Sequence, residues 1–374
     1  MPETTNVPRR NTPVMNPAHP IPVGLLGATG MVGQQFVRQL EGHPWFRLAW
    51  LGASSRSAGR SYADAAHWVQ DCPMPEDIGG LLVQGAAPGA ECPELVFSAM
   101  DASVAGGIER AFARAGHTVL SNSRNHRLDA DVPLVIPEVN PEHLALIPHQ
   151  RRECGWPGAI VTNPNCSTVT LALPLAPLRP LGIRRVLVST LQAVSGAGYP
   201  GLPAVDVLGN AIPFIPGEED KLGAETAKIL GELRGEDPVG DPGYHIDPYP
   251  AVVSAHCNRV ATIDGHLVCA SVELEARPSP AEVRSLLGGF RGRPQELRLP
   301  TAPERPVRVT EDPDRPQPRR DSMAGRGMTV TVGRIRECPI LGIKFAALGH
   351  NTIRGAAGAS VLNAELLVAE GLIR

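Results

Sequence analysis

Short apolar runs alternate with helical patterns through the first part of the chain. Residues 21–40, IPVGLLGATGMVGQQFVRQL, put a short apolar strand before a glycine turn and an amphipathic helix, and residues 46–54, FRLAWLGAS, then predict a second strand. The stretches ELVFSAM at 94–100, HTVLSNS at 117–123 and VPLVIPEVN at 132–140 carry the alternation on, each an apolar run ending in small or polar residues. Strands of this kind separated by helices predict a parallel α/β sheet. Ligands of such sheets gather beyond the carboxyl ends of the strands.

From about Asn163 the texture changes. RRVLVSTLQAVSG (184–196), VVSAHCNRVATIDG (252–265), HLVCASVELEA (266–276) and GMTVTVGRIR (327–336) predict longer antiparallel strands with one exposed face, and so a second domain. Residues 299–327, rich in Pro, Arg and Asp, read as an extended surface excursion, and the chain after residue 350 reads as helix. With 374 residues the chain exceeds what one core organises, which also calls for two domains.

Composition narrows the classes of function. Apolar residues make up 43% and charged residues 20%, as in a folded globular protein, and the net charge of −3 gives no support to nucleic-acid binding. No apolar run reaches the length of a membrane span, and residues 1–20 lack the apolar centre of a signal peptide, so they read as a loose tail. The seven cysteines, at 72, 92, 154, 166, 257, 269 and 338, form no CxxC pair. That argues against a disulfide framework and against a zinc ribbon, and it suits a reducing cytoplasm. His256 and Cys257 have no matching second pair, so no metal is expected.

Two stretches carry chemistry. Gly27, Gly30 and Gly33 form a GxxGxxG turn between strand and helix, with Thr29, Met31 and Val32 in the same cradle. Such a turn lets the backbone approach a pyrophosphate at a helix N-terminus. The acidic residue that would bind a ribose hydroxyl some twenty residues on is missing. Ser54, Ser55, Arg56 and Ser57 stand there instead, and hydroxyls with a guanidinium suit a 2′-phosphate, so NADP is expected over NAD. The second stretch is NPNCST, residues 163–168, where Cys166 sits among polar side chains at the start of an apolar helix. Ser167 and Thr168 are expected to cap that helix, and its positive end to lower the thiol pKa.

GATGMVG, SNSRNHR, NPNCST, QAVSGAGYPG, GEEDK, CNRVATIDGH and GHNTIRGAAG, in that order, resemble the aspartate-β-semialdehyde dehydrogenase family, and most its archaeal and fungal branch. The resemblance implies a Rossmann-type NADP-binding domain (21–162), a mixed α/β catalytic and dimerisation domain (163–350), and a C-terminal helix (351–374) returning to the first domain. It implies NADPH-dependent reductive dephosphorylation of L-4-aspartyl phosphate to the semialdehyde through a cysteine thioester, in a cytoplasmic homodimer or homotetramer. By position, Cys166 would be the nucleophile, His266 the acid/base, Asn165 the neighbour of the oxyanion and Gln192 an orienter of the acyl group. Arg259 would fork the substrate carboxylate and Glu218 take its ammonium. Lys221, Asn122 and Arg124 would hold phosphate, while Ser195, Gly196, Asn351 and Thr352 would line the cofactor. Two alternatives stay open at this point, a malonyl-CoA reductase with the same cysteine and a non-catalytic NADP-binding regulator. By spacing alone, Glu218 and Lys221 also fit a solvated charge cluster.

Overall fold

The computed structural model describes residues 17–235 and 243–373. Residues 1–16, most of the expected tail, and residue 374 of the expected C-terminal segment lie outside the described residues. The first sheet contains β1 (Ile21–Leu26), β2 (Phe46–Ala53), β3 (Val83–Gly85), β4 (Leu95–Ser98), β5 (Thr118–Ser121) and β6 (Ala159–Thr162), in the order β3-β2-β1-β4-β5-β6. Every ladder is parallel. The order reverses between β1 and β4, which opens a crevice at the carboxyl ends. Continuous burial along β4, β5 and β6 explains their unbroken apolar pattern, since helices cover both faces.

One feature of this sheet differs from the expectation. VPLVIPEVN forms no strand, only a single bridge from Leu134 to Thr162. Pro133 and Pro137 remove ladder donors there, so the sixth place in the sheet goes to β6.

The second sheet has seven strands: β7 (Ile183–Gln192), β8 (Ala211–Ile212), β11 (Val252–Val260), β12 (His266–Leu274), β13 (Val307–Val309), β14 (Val330–Cys338) and β15 (Gly342–Gly349). They are ordered β13-β14-β15-β12-β7-β11-β8. A separate ribbon pairs β9 (Glu232–Arg234) with β10 (His245–Asp247). The sheet is mixed rather than antiparallel throughout, because β11 runs parallel to β7 and β13 parallel to β14. The Pro-rich stretch 299–327 also departs from a plain surface excursion. It supplies β13, and it buries Asp321, which Arg308 grips at 2.6 Å and Arg315 through Nε, also at 2.6 Å.

Five helices position the site: α1 (Met31–Leu40), α2 (Ala102–Arg114), α3 (Cys166–Leu175), α4 (Glu218–Ile229) and α5 (Ala357–Ala369). All residues of α5 are buried, and its Val361, Leu362, Leu366 and Leu367 share a core with Val23 and Leu25 of β1 and Phe36 of α1. Each such side chain contributes about 1.5–3 kcal/mol by leaving water. A second core lies between α3, α4 and the mixed sheet, so α3 sits where the two sheets meet.

Candidate active site

The chain leaves β6 and turns through Asn163 and Pro164 into α3, whose first residue is Cys166. Asn165, not Ser167 or Thr168, caps this helix. Its backbone is extended and its Oδ1 accepts from the Ser167 amide at 2.9 Å and the Thr168 amide at 3.4 Å, while both hydroxyl residues lie inside the first turn, fully buried. Cys166 itself is half-buried. Burial and then the Glu218 carboxylate push its thiol up to about 12, against the pull of Arg127, Arg259 and the Ser167 amide. The expected lowering therefore does not occur. One helix end and two guanidinium groups are outweighed by the low polarity around the sulfur and by a nearby carboxylate.

Across from the sulfur, α4 presents Glu218, which is buried. Its carboxylate receives the Asn165 amide at 3.0 Å to each oxygen, Lys221 at 2.8 Å and Gln192 at 3.3 Å. Glu218 is thus no part of a solvated cluster. Gln192 ends β7 and stands opposite Arg259 in the parallel register of β11.

Arg259 is buried and donates to the Ala193 carbonyl at 2.7 Å. His266 opens β12 and is fully buried. The Ala193 amide donates to its Nδ1 at 3.1 Å, so the neutral ring carries its proton on Nε2, which has no partner among the described residues. Burial, then Arg259 and His350, push this imidazole down to about 3. Gly196 lies directly beside this pair, since a methyl there would stand 2.9 Å from the Arg259 guanidinium and 3.4 Å from His266 Nε2. Asn351 ties the region together, accepting from the Gly265 amide at 2.8 Å and donating to Ser195 at 2.7 Å. Thr352 is buried beside His350.

At the end of β5, Asn122 accepts from Asn163 at 2.9 Å and donates to the Ser98 carbonyl at 3.1 Å. Arg124 is exposed, with its charge toward Asp101, whereas Arg127 three residues later is buried and acts on the Cys166 thiol.

The glycine turn fits a dinucleotide. Gly27 adopts φ +72° and a methyl there would meet the Ala99 carbonyl oxygen at 2.6 Å, while one at Gly33 would collide with the Gly27 and Ala28 carbonyls. Gly30 caps α1 with no side chain, leaving the first-turn amides of Met31, Val32 and Gly33 next to Thr29 without a side-chain cap. Ser54, Ser55 and Arg56 are exposed just past β2, with Ser57 closing their turn onto the Ser54 carbonyl at 2.9 Å. The Gly27 amide donates to the Gly52 carbonyl at 2.8 Å, which holds this turn beside the glycine cradle. Residues 22–147 match the semialdehyde dehydrogenase NAD binding domain and residues 175–354 the semialdehyde dehydrogenase dimerisation domain, with Cys166 falling between the two matches. Curated aspartate-semialdehyde dehydrogenases are similar along nearly the whole chain. That of Methanothermobacter thermautotrophicus is 50% identical, covering 92% of this chain and 98% of its own, and that of Saccharomyces cerevisiae is 45% identical, covering 94% and 98%.

The chain belongs to the aspartate-semialdehyde dehydrogenase family. The family's Candida albicans enzyme, solved with NADP, superposes with a TM-score of 0.85 at 44% identity, covering 95% of this chain and all of that one. The Vibrio cholerae aspartate semialdehyde dehydrogenase II, complexed with ASA, superposes with a TM-score of 0.71 at 27% identity, covering 94% and 99%. Both the Rossmann-type domain and the mixed dimerisation domain are therefore those of this family. In this aspartate-semialdehyde dehydrogenase relative, four residues at the site were assigned no role from the sequence, although Arg127 and Gly355 lie inside the stretches SNSRNHR and GHNTIRGAAG. Arg127 and Glu225 form a buried ion pair at 2.9 Å, Lys228 is buried behind them, and Gly355 packs on Cys166. For Glu225 and Lys228 a spacing signal was also available. The ExxK spacing of Glu218 and Lys221 recurs seven residues on in Glu225 and Lys228, two helical turns along the same face.

Proposed function

We infer that this chain catalyses the reversible NADP-dependent reductive dephosphorylation of L-4-aspartyl phosphate to L-aspartate 4-semialdehyde through a thioester on Cys166. The observation that carries the reading is the grouping of a helix-start cysteine with a buried carboxylate, a buried guanidinium and an imidazole bearing an unpartnered N–H. In the reductive direction the Cys166 sulfur bonds to the acyl carbon and the bond from that carbon to phosphate breaks. NADPH, when bound, supplies the hydride that converts the thioester to the aldehyde as the carbon–sulfur bond breaks and releases the Cys166 thiolate. Its pyrophosphate would rest on the glycine cradle 27–33 and its 2′-phosphate against Ser54, Ser55, Arg56 and Ser57.

Each remaining role follows from position. Arg259 would fork the α-carboxylate, which a planar pair of donors suits better than an ammonium does. Glu218 would receive the substrate ammonium, and this favours an amino acid over a malonyl thioester, which has no cation to offer a buried carboxylate. The ammonium would also offset the Glu218 charge, the second of the two causes that hold the thiol protonated, and so favour the thiolate once the substrate is seated. Lys221, Asn122 and Arg124 would take the phosphate, and Gln192 and Asn165 would steady the acyl group. Ser195, Gly196, Asn351 and Thr352 would border the nicotinamide. His266 would act in the acid/base step through Nε2–H, donating a hydrogen bond to the oxygen on which charge develops, since in this tautomer Nε2 has no lone pair with which to take up a proton.

Exposed Leu187, Leu191 and Val252 share one face of β7 and β11, which supports self-association into a homodimer or homotetramer. No helix among the described residues is long and apolar enough to cross a membrane. Seven free cysteines support a cytoplasmic setting. Cys166→Ala tests the reading: turnover is expected to vanish while NADPH still binds, and normal turnover would overturn the assignment.

A further inference from the structure

One helix grips Asn165, the residue before the nucleophile, at two points. Glu218 holds its side-chain amide, and Glu225, seven residues on, accepts from its backbone N–H at 2.6 Å. The other Glu225 oxygen accepts from Arg127 at 2.9 Å, and Arg127 donates onward to the Asn122 carbonyl at 2.7 Å. Lys228 fixes the same loop from behind by donating to the carbonyls of Arg127 at 2.9 Å, Asp129 at 2.7 Å and Val132 at 2.8 Å. Glu225 is 1% exposed, and Arg127 and Lys228 are each 8% exposed. Water is therefore a poor substitute for any of these partners.

We propose that Glu225 is a positioning residue for the nucleophile: its carboxylate bridges the peptide that precedes Cys166 to the loop after β5, so the sulfur and the phosphate-binding strand end keep one spacing. The bridge needs a carboxylate. Each oxygen accepts from a different donor on a different segment, and an amide can serve only one of them, because its nitrogen has no lone pair to offer. Freed from one donor, the α3 start and the β5 loop can drift apart, and a misplacement of ~1 Å costs on the order of 100-fold in rate. This inference rests on Cys166 as the nucleophile.

The test uses Glu225→Gln in the full chain, with kcat, the KM for the semialdehyde, NADP binding and the pH dependence of Cys166 alkylation by iodoacetamide. The expected result is a kcat lower by roughly 10–100-fold with that KM within about twofold, since Arg259 and Glu218 are untouched. The alkylation midpoint should also move to lower pH. The charges that act on the thiol are Glu218 from α4, Arg127 from the β5 loop and Arg259 from β11, and the substitution leaves Arg127 without its neutralising partner. Glu225→Asp is the second variant, should Glu225→Gln fail to fold. It keeps the charge but is one methylene short of spanning both donors, so kcat should fall with the alkylation midpoint unmoved. A parental kcat in either folded variant overturns the proposal, and so does a loss of kcat matched by an equal loss of NADP binding, which marks a general structural defect. Turnover retained by Cys166→Ala would instead overturn the reading beneath it.

Discussion

Gly355→Ala places one methyl group against Cys166, the proposed nucleophile. A Cβ at residue 355 would stand 2.5 Å from Cys166 Cβ and 2.9 Å from its Cα, and would collide with the Asn351 carbonyl. Unbonded carbons pack at about 3.5–4 Å, so one side of the contact must retreat by roughly 1 Å. Neither side yields freely. Cys166 is pinned by the Asn165 cap and Asn351 by its bonds to Gly265 and Ser195. Overpacking of this kind costs about 1–3 kcal/mol of stability, and ~1 Å at a reacting atom costs on the order of 100-fold in kcat. The assay is NADPH formation at saturating semialdehyde, phosphate and NADP, with a thermal unfolding scan beside it. Gly289→Ala is the control, because nothing lies within 4 Å of a methyl at that position. A kcat for Gly355→Ala within about threefold of the parent, with an unchanged melting temperature, would refute the claim that this glycine exists to let the chain close on Cys166.

Other consequences can be checked in the same preparations. Because burial and Glu218 penalise the thiolate and push the thiol up to about 12, alkylation of Cys166 without substrate should climb through pH 10, and a plateau below pH 8 would show the opposite sign. Arg259→Leu should raise the KM for the semialdehyde roughly 10–100-fold, as expected for a lost charge-assisted contact of about 1.5–3 kcal/mol, whereas Lys221→Ala should act mainly on the KM for phosphate; the reverse pattern would exchange the two anion assignments. Arg56→Ala should weaken NADPH by about fivefold and leave NADH alone, the modest size following from an exposed contact worth ~1 kcal/mol, and equal losses for both cofactors would remove Arg56 from the 2′-phosphate.

Local patterns carried much of the architecture. The strand, glycine turn and helix over 21–40 were legible because backbone demands at Gly27 and Gly33 leave a mark no tertiary contact can erase. The start of α3 at Cys166 was legible for a similar reason, since a polar cap before an apolar run has few other meanings. Direction was not legible. Alternation along residues 252–260 shows a half-exposed strand but says nothing of whether its neighbour runs parallel, and β11 does run parallel to β7. Residues 299–327 look like solvent-loving coil until Arg308 and Arg315 are seen closing on buried Asp321. The thiol pKa failed for a related reason: its sign is set by burial and by Glu218, 52 residues away in the chain, rather than by the adjacent helix end. Arg127 and Glu225 were missed because a charged pair reads the same whether it is solvated or buried.

The account turns on an acyl group passing between Cys166 and phosphate, and the most direct measurement is the initial rate of NADPH formation from L-aspartate 4-semialdehyde and NADP, with inorganic phosphate present and omitted. Sustained turnover only when phosphate is present is the expected result, with at most one equivalent of NADPH per site formed in its absence as the thioester accumulates. Full turnover without phosphate would mean that water releases the acyl group, and it would contradict the assignment of a phosphorylating enzyme.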